Sequence, residues 1–516
     1  FAAGVLRLAP GGAPPRGDHL VLGRARRGFF AVRPAERAAH LTVVGLSGTG
    51  KSKAVASWVA QDILRGRDTA IVLDIHRALI EDVLGQVGDH VAARDGLVLE
   101  AGHPRWAYGF DPLWCAPGDR PELRAAAAAR VWQTVYGERW SDRIEYYLRS
   151  TFQAVIEGGW TILEAPRLLD DRDFRTYVRE RCRSDGLRDF FRTYEAKRQG
   201  QQAEEIASVQ VRLQEFTSDP LLRALLGPAV RDEQYLRHRR AALPGYAPRV
   251  LDLPALVEDG RAILLDFPYQ ALGENSKLLA GMTLAALLDL FLRRDLAGAR
   301  PRQVNLWADE LQHYATDAVA TLYTQTRKFG LSFCAVCTGL GYLPRPVREA
   351  LLGAGVLVAF QTLTRDAQEL APEMFRREFE RVKYQPGGYA DRAPVYYQDR
   401  EILAEQVDWL NKARPRECWV YARRRGGDAV RLRTLDVRPR LGPAERAAVR
   451  AASGARYGNA LADVEAELRL RYRWLDERRY RLTPRERPRR PAAPRAAPIE
   501  PPPPAREAEA RRDPFA

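Results

Sequence analysis

The chain has 516 residues, 46% of them apolar, and a formal net charge of +15 with a pI of about 9.7. This length predicts more than one structural unit, and the apolar content is ordinary for a globular protein with a large core. The charge favours a polyanionic partner, nucleic acid first, although an arginine-rich composition accounts for part of it.

The composition does not favour a disulfide-stabilised protein or one that spans a membrane within this sequence. Five cysteines in this length predict no disulfide framework, so a cytoplasmic location is expected. No stretch is predicted to span a membrane, since the longest apolar segment, 278–292, is short and carries Asp289. The sequence begins at Phe1, so we expect further sequence upstream. A membrane anchor there would place the protein at the inner face of the membrane.

The first element is a small β element within residues 1–38, strand-like from His19 to Val32. Residues 39–113 are predicted to form the first half of an ATPase core. There an apolar strand, 41–44, leads into Gly45-Leu46-Ser47-Gly48-Thr49-Gly50-Lys51-Ser52, which matches GxxxxGK[ST] without a mismatch. A helical run, 53–65, and a second strand ending at Asp74 follow, which makes one parallel crossover unit.

Each residue type in this loop has a physical role. Glycines let backbone amides face phosphates at a helix N-terminus, Lys51 supplies a positive charge, and Ser52 supplies a hydroxyl for Mg²⁺. The predicted cofactors are therefore ATP and Mg²⁺. His76 follows the second strand, where it is equally explained as a phosphate contact or as a loop histidine that caps backbone. The residues expected to bind nucleotide are Gly45, Ser47, Gly48, Thr49, Gly50, Lys51, Ser52 and Lys53.

Residues 114–249 are predicted to form an all-α insertion, because helical periodicity dominates and strand-like runs are nearly absent. The helices expected there are 125–136, 143–157, 173–182, 187–197 and 203–216.

Residues 250–378 return to alternating strands and helices and are predicted to complete the core. After strand 262–267 and helix 275–294, an apolar run from Val304 ends in Asp309 and Glu310. This is the pattern of the second half of a P-loop ATPase site, in which Asp309 would hold the Mg²⁺ shell and Glu310 would be the catalytic carboxylate that orients the attacking water. Lys51 is expected to act with it.

Three further features lie in this half of the core. Two arginine-containing segments each allow a functional and a structural interpretation, and a cysteine pair favours the structural one. Arg327 and Lys328 end the helix 315–328, either as ordinary C-terminal cations or as a finger offered to a neighbouring subunit. Arg345 and Arg348 either hold phosphates along a pore or cap a surface helix. The pair Cys334 and Cys337 lies in an apolar strand and is better explained as packed thiols than as a zinc site.

The remaining chain has three predicted parts. Residues 379–440 form a β-containing closing segment with a strand at 417–421, and residues 441–482 form a charged C-terminal helical segment. The Pro/Ala/Arg-rich tail, 483–516, is expected to be disordered.

A set of segments recurs together in one order, and it carries a resemblance. They are GLSGTGKS, the strand that ends in Asp74-Ile75-His76, YGFDP, the helical insertion, WADELQHYATD, RKFGLSF and LLGAGVLVAFQ. Together they resemble the HerA/FtsK superfamily of P-loop ring ATPases, nearest to the type IV secretion and conjugation coupling proteins (TraG/TraD-like) and their HerA-like relatives. The resemblance covers roughly residues 20–435. It implies an α/β fold with a RecA-like P-loop ATPase core, a mainly parallel sheet and an inserted all-α domain.

The resemblance also implies a function. It suggests a homo-hexamer that threads DNA through a central pore, with ATP between subunits and a relaxase, nuclease or secretion channel as partner. By motif position Lys51, Ser52, Asp309 and Glu310 carry the nucleotide and Mg²⁺ set, and Arg327 aligns with the trans-acting finger.

The chain departs from the family pattern at one position. Relatives usually place a glutamine where this chain has Thr338, so Thr338 or Gln312 would have to replace it. The leading hypothesis is an ATP-driven DNA translocase with phosphate-dominated, salt-sensitive DNA binding. The alternative is a nucleotide-switched scaffold or cargo-recruiting component with little turnover. A small-molecule P-loop enzyme is a weaker third.

Overall fold

The computed structural model of the chain describes residues 17–26, 28–115, 119–137, 140–294, 302–325, 329–376, 382–383, 395–478 and 480. Its strands are β1 (Leu20–Ala25), β2 (Gly28–Val32), β3 (Leu41–Val44), β4 (Thr69–Asp74), β5 (Leu97–Glu100), β6 (Trp106–Tyr108), β7 (Ala262–Asp266), β8 (Val304–Ala308), β9 (Leu331–Cys337), β10 (Val356–Ala359), β11 (Val382–Lys383), β12 (Val395–Tyr396), β13 (Glu417–Ala422), β14 (Val430–Thr434) and β15 (Gly458–Ala460).

Helices separate most of these strands. They are α1 (Pro34–Arg37), α2 (Lys51–Arg65), α3 (Ala78–Ala93), α4 (Pro121–Tyr136), α5 (Asp142–Gly158), α6 (Ala165–Asp170), α7 (Arg172–Arg179), α8 (Asp185–Glu195), α9 (Gln199–Ser218), α10 (Pro220–Leu226), α11 (Glu233–Ala242), α12 (Leu253–Glu258), α13 (Tyr269–Leu272), α14 (Glu274–Arg293), α15 (Ala318–Gln325), α16 (Arg345–Leu352), α17 (Thr364–Met374), α18 (Asp399–Asn411), α19 (Pro443–Tyr457) and α20 (Leu461–Asp476).

One large sheet organises the fold. Its strand order is β2-β1-β14-β13-β10-β3-β9-β8-β4-β7-β5, and the run from β10 to β5 is parallel throughout. The four strands at the other edge pair antiparallel. The predicted α/β class with a mainly parallel sheet is confirmed. The carboxyl ends of the parallel strands meet at one edge, where ligands of such sheets bind.

Both faces of the sheet are covered, which explains why its strands are almost continuously apolar. In β4, Ile71 and Leu73 face one hydrophobic cluster, and Ala70 and Val72 face the other. Buried apolar residues of α2 and α3 fill the second cluster. Buried apolar residues of α14 and of the helices after β6 fill the first cluster, the one that Ile71 and Leu73 face.

Between β6 and β7 the described chain consists of helices and turns, α4 to α12. Several begin earlier than their periodicity suggests because a polar side chain caps the first turn. Ser141 accepts from the Ile144 amide ahead of α5, and Asp171 accepts from two amides ahead of α7. Such caps fix where each helix starts.

Two segments differ from expectation. The β-containing closing segment predicted for 379–440 also contains a helix that was not expected, α18. Glu401 accepts a hydrogen bond from the Gln398 amide at its start, and Ile402, Val407 and Leu410 are buried. The C-terminal helical segment predicted for 441–482 is interrupted by a short strand, β15 (Gly458–Ala460). That strand pairs antiparallel with β6, and the α19 helix ends where the Gly458 backbone becomes extended.

Among the described helices, α14 is the one whose length and apolar composition would allow it to cross a membrane. However, 72% of its most apolar window is buried within the fold. Its contacts with the parallel sheet and with α4 are those of a core helix.

Candidate functional site: a nucleotide site at the carboxyl edge of the sheet

The loop 45–52 joins β3 to α2 and has the curled backbone that its glycines allow. Gly48 and Gly50 adopt left-handed conformations, with φ of 79° and 91°. Gly45 is required for a different reason, since a Cβ there would lie 2.5 Å from Cβ of Phe360 at the end of β10. The Thr49 hydroxyl donates to the Leu46 carbonyl at 2.7 Å and closes the turn.

The sheet brings this loop to the two predicted carboxylates. β9 lies between β3 and β8, with Val44 opposite Cys337 and Ala308 opposite Ala335. The residues that follow these three strands therefore converge at one edge. Lys51 is buried, and its Nζ lies 3.3 Å from Oε1 of Glu310 and 3.2 Å from the hydroxyl of Thr338.

Glu310 is held by three side chains. The Thr338 hydroxyl donates to its Oε2 at 2.7 Å, and the Gln312 amide donates to the same oxygen. Burial opposes ionisation, but Lys51, Thr338 and Gln312 outweigh it and lower the pKa of Glu310. The carboxylate is therefore ionised and fixed in place at neutral pH.

The two residues considered as substitutes for the family's glutamine lie together. The backbone N–H of Thr338 donates to Oε1 of Gln312 at 3.3 Å, and both side chains bind Glu310. They thus hold the carboxylate jointly.

Asp309 lies beside Glu310 but in a different environment. Its backbone N–H donates to Leu73 O, while its side chain is 4% exposed and its Oδ1 has no hydrogen-bond partner among the described residues. Burial raises the pKa of Asp309 to about 7, with a further increase from Asp74, which Lys51 partly opposes. A buried acceptor without a partner is costly unless a ligand completes it.

This donor set fits Mg²⁺ and the phosphates of a nucleotide. Asp309 offers an unsatisfied oxygen, Ser52 is half-buried in the first turn of α2, and Lys51 is the nearby cation. Oxygen ligands of this kind suit Mg²⁺, and amides at a helix N-terminus suit phosphate.

The other residues expected in the nucleotide site differ in how far their side chains are exposed. Ser47 is exposed on the loop, Thr49 is buried, and Lys53 points outward, where its Nζ pairs with Asp82 at 2.6 Å. Arg327 lies outside the described residues. Cys334 and Cys337 are buried thiols of β9, and the described chain contains no cluster of residues suited to a metal.

Two further residues lie near the nucleotide site. The sequence gives no indication that Arg416 would be there and only a weak one for His76. Arg416, left-handed with φ of 68°, donates its N–H to Thr49 O at 2.8 Å, and its side chain packs beside Gly50. No motif marks this contact. His76 is exposed, and its ring lies 6.3 Å from that of His313, which follows Glu310 by three residues. The sequence indicates a place for His76 at this edge only because it follows the strand that ends at Asp74.

Comparison with known proteins gives solved structures of similar fold. No family model and no curated protein matches the sequence. Among solved structures, the chain is similar to the bacterial conjugative coupling protein TrwBdeltaN70, with a TM-score of 0.52, 16% identity and coverage of 83% of this chain and 92% of that one. It is also similar to VirB4 of Thermoanaerobacter pseudethanolicus, with a TM-score of 0.50, 14% identity and coverage of 84% and 100%.

TrwB has been solved with nucleotides as well. One complex holds the ATP analogue ADPNP (TM-score 0.51, 14% identity, coverage 85% and 98%), and another holds ADP and Mg²⁺ (0.50, 15%, 83% and 91%). At these identities the likeness is one of fold. The chain therefore has the fold of the conjugative coupling protein TrwB and of VirB4, a RecA-like P-loop core with added helices, as its sequence motifs predict.

Proposed function

We propose that this protein is an ATP-hydrolysing ring motor that binds and moves DNA, as a conjugative or type IV secretion coupling protein or a HerA-like DNA pump. One observation carries the proposal. The side chains of Lys51, Glu310 and Thr338 are hydrogen-bonded to one another at the carboxyl edge of the sheet. Beside them lies Asp309, whose Oδ1 has no hydrogen-bond partner among the described residues. This is the arrangement that phosphoryl transfer to water requires, namely a fixed cation, a fixed carboxylate and a free metal ligand.

In this proposal each residue has one task. Lys51 and the amides of the loop 45–52 hold the phosphates of ATP, while Ser52 and Asp309 supply oxygen ligands for Mg²⁺. Bound Mg²⁺ neutralises charge on the phosphates. Glu310 accepts a hydrogen bond from the attacking water and orients it. The TrwB complexes with ADPNP and with ADP and Mg²⁺ support the same choice of ligands.

The assembly belongs to the proposal as well. A homo-hexamer would place Arg327 of one subunit at the nucleotide of the next, and ATP would be hydrolysed only between subunits. The helical region 114–249 would contact DNA or cargo, and a relaxase, nuclease or secretion channel would be the partner on the cytoplasmic side. The net charge of +15 supports phosphate-dominated binding without sequence preference.

One observation favours a second candidate, a nucleotide-switched scaffold with little turnover. The carboxylate of Glu310 is already engaged by Lys51, Thr338 and Gln312, and Thr338 stands where relatives place a longer glutamine. A catalytic base that remains held in this way would bind nucleotide but hydrolyse it slowly.

Displacement of streptavidin from biotinylated DNA separates the two. The motor predicts that ATP, but not ADP, drives displacement, and that Glu310→Gln abolishes it while DNA binding remains. The scaffold predicts DNA or cargo binding that depends on nucleotide, with no displacement by the native chain. Arg469→Ala is the control, because this exposed cation of α20 pairs with Glu465 on its own helix and belongs to no expected site.

A further inference from the structure

Tyr342 is the most exposed of the large hydrophobic side chains in the described chain, at 71%. It ends the short 3₁₀ turn Leu340–Tyr342, which follows β9 and Thr338 at the carboxyl edge of the sheet. A tyrosine ring normally packs one face against the protein. An aromatic side chain this exposed on a loop at the ligand-binding edge of a sheet is a candidate contact for a partner.

The turn that presents Tyr342 is firmly held. The buried carboxylate of Asp366 accepts the N–H of Gly341 at 3.2 Å, and Leu343 N donates to Leu340 O at 3.0 Å. A Cβ on Gly339 would lie 3.0 Å from Oδ2 of Asp366 and 3.2 Å from Cε2 of Tyr342, so glycine lets the carboxylate and one edge of the ring approach the backbone closely. The exposure of Tyr342 is therefore built into the backbone, and little conformational entropy is lost when a planar group stacks on it.

Two exposed arginines flank this turn, Arg345 at the start of α16 and Arg365 on the segment that packs against Gly341. The guanidinium of Arg365 lies over Gly341, where an added Cβ would be 3.7 Å from its Cζ, and its charge acts on the neighbouring carboxylate of Asp366. Arg345 is exposed and pairs with Glu349 on the surface at 2.7 Å, a kind of pair that contributes little and exchanges readily. The exposed Leu363 completes an aromatic and cationic patch, the Tyr342 patch, formed by Tyr342, Arg345, Leu363 and Arg365.

The Tyr342 patch is connected to the nucleotide site through the backbone. Thr338, four residues before Tyr342, binds both Lys51 and Glu310. Any change in those contacts during the ATP cycle therefore acts on the strand end from which the turn emerges.

We propose that the Tyr342 patch binds single-stranded DNA, with an unpaired base stacked on Tyr342 and phosphates held by Arg345 and Arg365. Stacking requires a free base face, whereas duplex DNA hides its base faces. The patch is thus selective for single strands without being selective for sequence. This inference rests on the proposed DNA-dependent function and adds the strand class and the residues that grip it.

The test is fluorescence anisotropy with a labelled oligodeoxythymidylate and a labelled duplex of equal length, at one fixed salt concentration. Tyr342→Ala is expected to bind the single strand about tenfold more weakly, the usual effect of removing one stacking residue, and to bind the duplex unchanged. Tyr342→Phe keeps the ring and is expected to bind as the native chain does. Tyr396→Ala removes a 50% exposed tyrosine from β12 and is the matched control.

A second readout detects stacking directly and does not depend on affinity. Tyr342→Trp is expected to lose indole fluorescence when the oligodeoxythymidylate binds and to keep it with the duplex. Hydrolysis of ATP without DNA is expected to be unaltered in Tyr342→Ala, because this ring is 71% exposed and is assigned no part in binding nucleotide.

Three results overturn the inference. If Tyr342→Ala and Tyr396→Ala bind the single strand equally well, DNA binds elsewhere and the proposed motor function still stands. If Tyr342→Ala disrupts the oligomer but leaves single-strand binding per assembly intact, the ring belongs to a subunit interface. If the native chain binds neither DNA while it hydrolyses ATP, this inference and the DNA part of the proposed function both fail.

Discussion

The Thr338 hydroxyl donates a 2.7 Å hydrogen bond to the carboxylate of Glu310 from the end of the neighbouring strand β9. The same hydroxyl oxygen accepts from Nζ of Lys51 at 3.2 Å. Thr338 thus joins the residue that would hold phosphate to the residue that would orient water. A threonine that is shorter than the family's glutamine still reaches the carboxylate, because Gln312 supports both of them.

Replacing Thr338 with valine should therefore lower turnover more than nucleotide binding. A hydrogen bond to a charged group contributes about 1.5–3 kcal/mol, so kcat should fall roughly 10- to 100-fold while the Kd for ATP changes little. Steady-state hydrolysis with equilibrium titration of nucleotide measures both. Thr338→Ser keeps the hydroxyl and should retain most activity, and equal losses in the two variants would show that the hydroxyl is not the important group.

The two left-handed glycines of the loop should differ in their tolerance of alanine. Gly48 has open space around it, so Gly48→Ala should cost only the backbone strain, about 1–2 kcal/mol of the free energy of unfolding. At Gly50 the added Cβ would also lie 3.1 Å from Cγ of Arg416, so Gly50→Ala should cost more. Chemical denaturation compares them, and Arg416→Gly should restore part of the loss in Gly50→Ala. Equal costs in the two alanine variants would contradict this contact.

The stability of the chain should depend on pH through Asp266, which ends β7 opposite Asp74. Burial raises the pKa of Asp266 to about 6, although Arg450 and Arg77 oppose the increase. Because the folded state holds this proton more tightly than the unfolded chain, the contribution to stability is present at low pH and falls as pH rises through about 6.

Asp266→Asn removes this titration. Its stability relative to the native chain should increase by about 1–2 kcal/mol between pH 5 and pH 8, measured by urea denaturation at both values. A relative stability that stays constant or decreases over this range would mean that Asp266 is ionised in the fold throughout.

The C-terminal helix α20 should depend on one buried cation. Arg471 is fully buried and donates to Glu164 and Glu467. Arg471→Ala should cost about 3–5 kcal/mol of the free energy of unfolding, since it leaves two buried carboxylates without a cation. Arg469→Ala, two residues earlier on the same helix, removes an exposed partner of Glu465 and should cost less than about 0.5 kcal/mol. Denaturation curves that shift equally for both would refute the assigned role of Arg471.

Shared sites between subunits can be tested by mixing chains. In the proposed ring each site takes Lys51 from one subunit and Arg327 from the next, so Lys51→Ala and Arg327→Ala should each be inactive alone. Mixed assemblies contain some interfaces with an intact Lys51 and an intact Arg327, so ATP hydrolysis should partly recover. A mixture with no more activity than its components would place Arg327 outside the neighbouring site.

The core of the site could be predicted from the sequence because its signals are local. The loop 45–52 is a contiguous motif, Asp309 and Glu310 end an apolar strand, and parallel strands put their carboxyl ends at one edge. Those three facts suffice to bring Lys51 and Glu310 together, as the structure does. The RecA-like fold with a mainly parallel sheet is confirmed on the same basis.

Other contacts could not be predicted, because they join distant parts of the chain through packing. Arg416 reaches Thr49 only because the antiparallel strands β13 and β14 extend the sheet beside β10. The Asp266–Arg450 pair likewise depends on how α19 docks on the sheet edge. The helix α18 could not be predicted, because a short amphipathic pattern between strands does not clearly favour a helix over a strand. The predicted domain boundaries and the trans role of Arg327 stay predictions.

The most direct test of the proposed motor is ATP hydrolysis with and without DNA by the native chain and by Glu310→Gln. The proposal predicts that DNA strongly stimulates the native rate, and that the substitution abolishes turnover while ATP binding is retained. Tight ATP binding by the native chain with no turnover in either condition would contradict the motor and favour the nucleotide-switched scaffold.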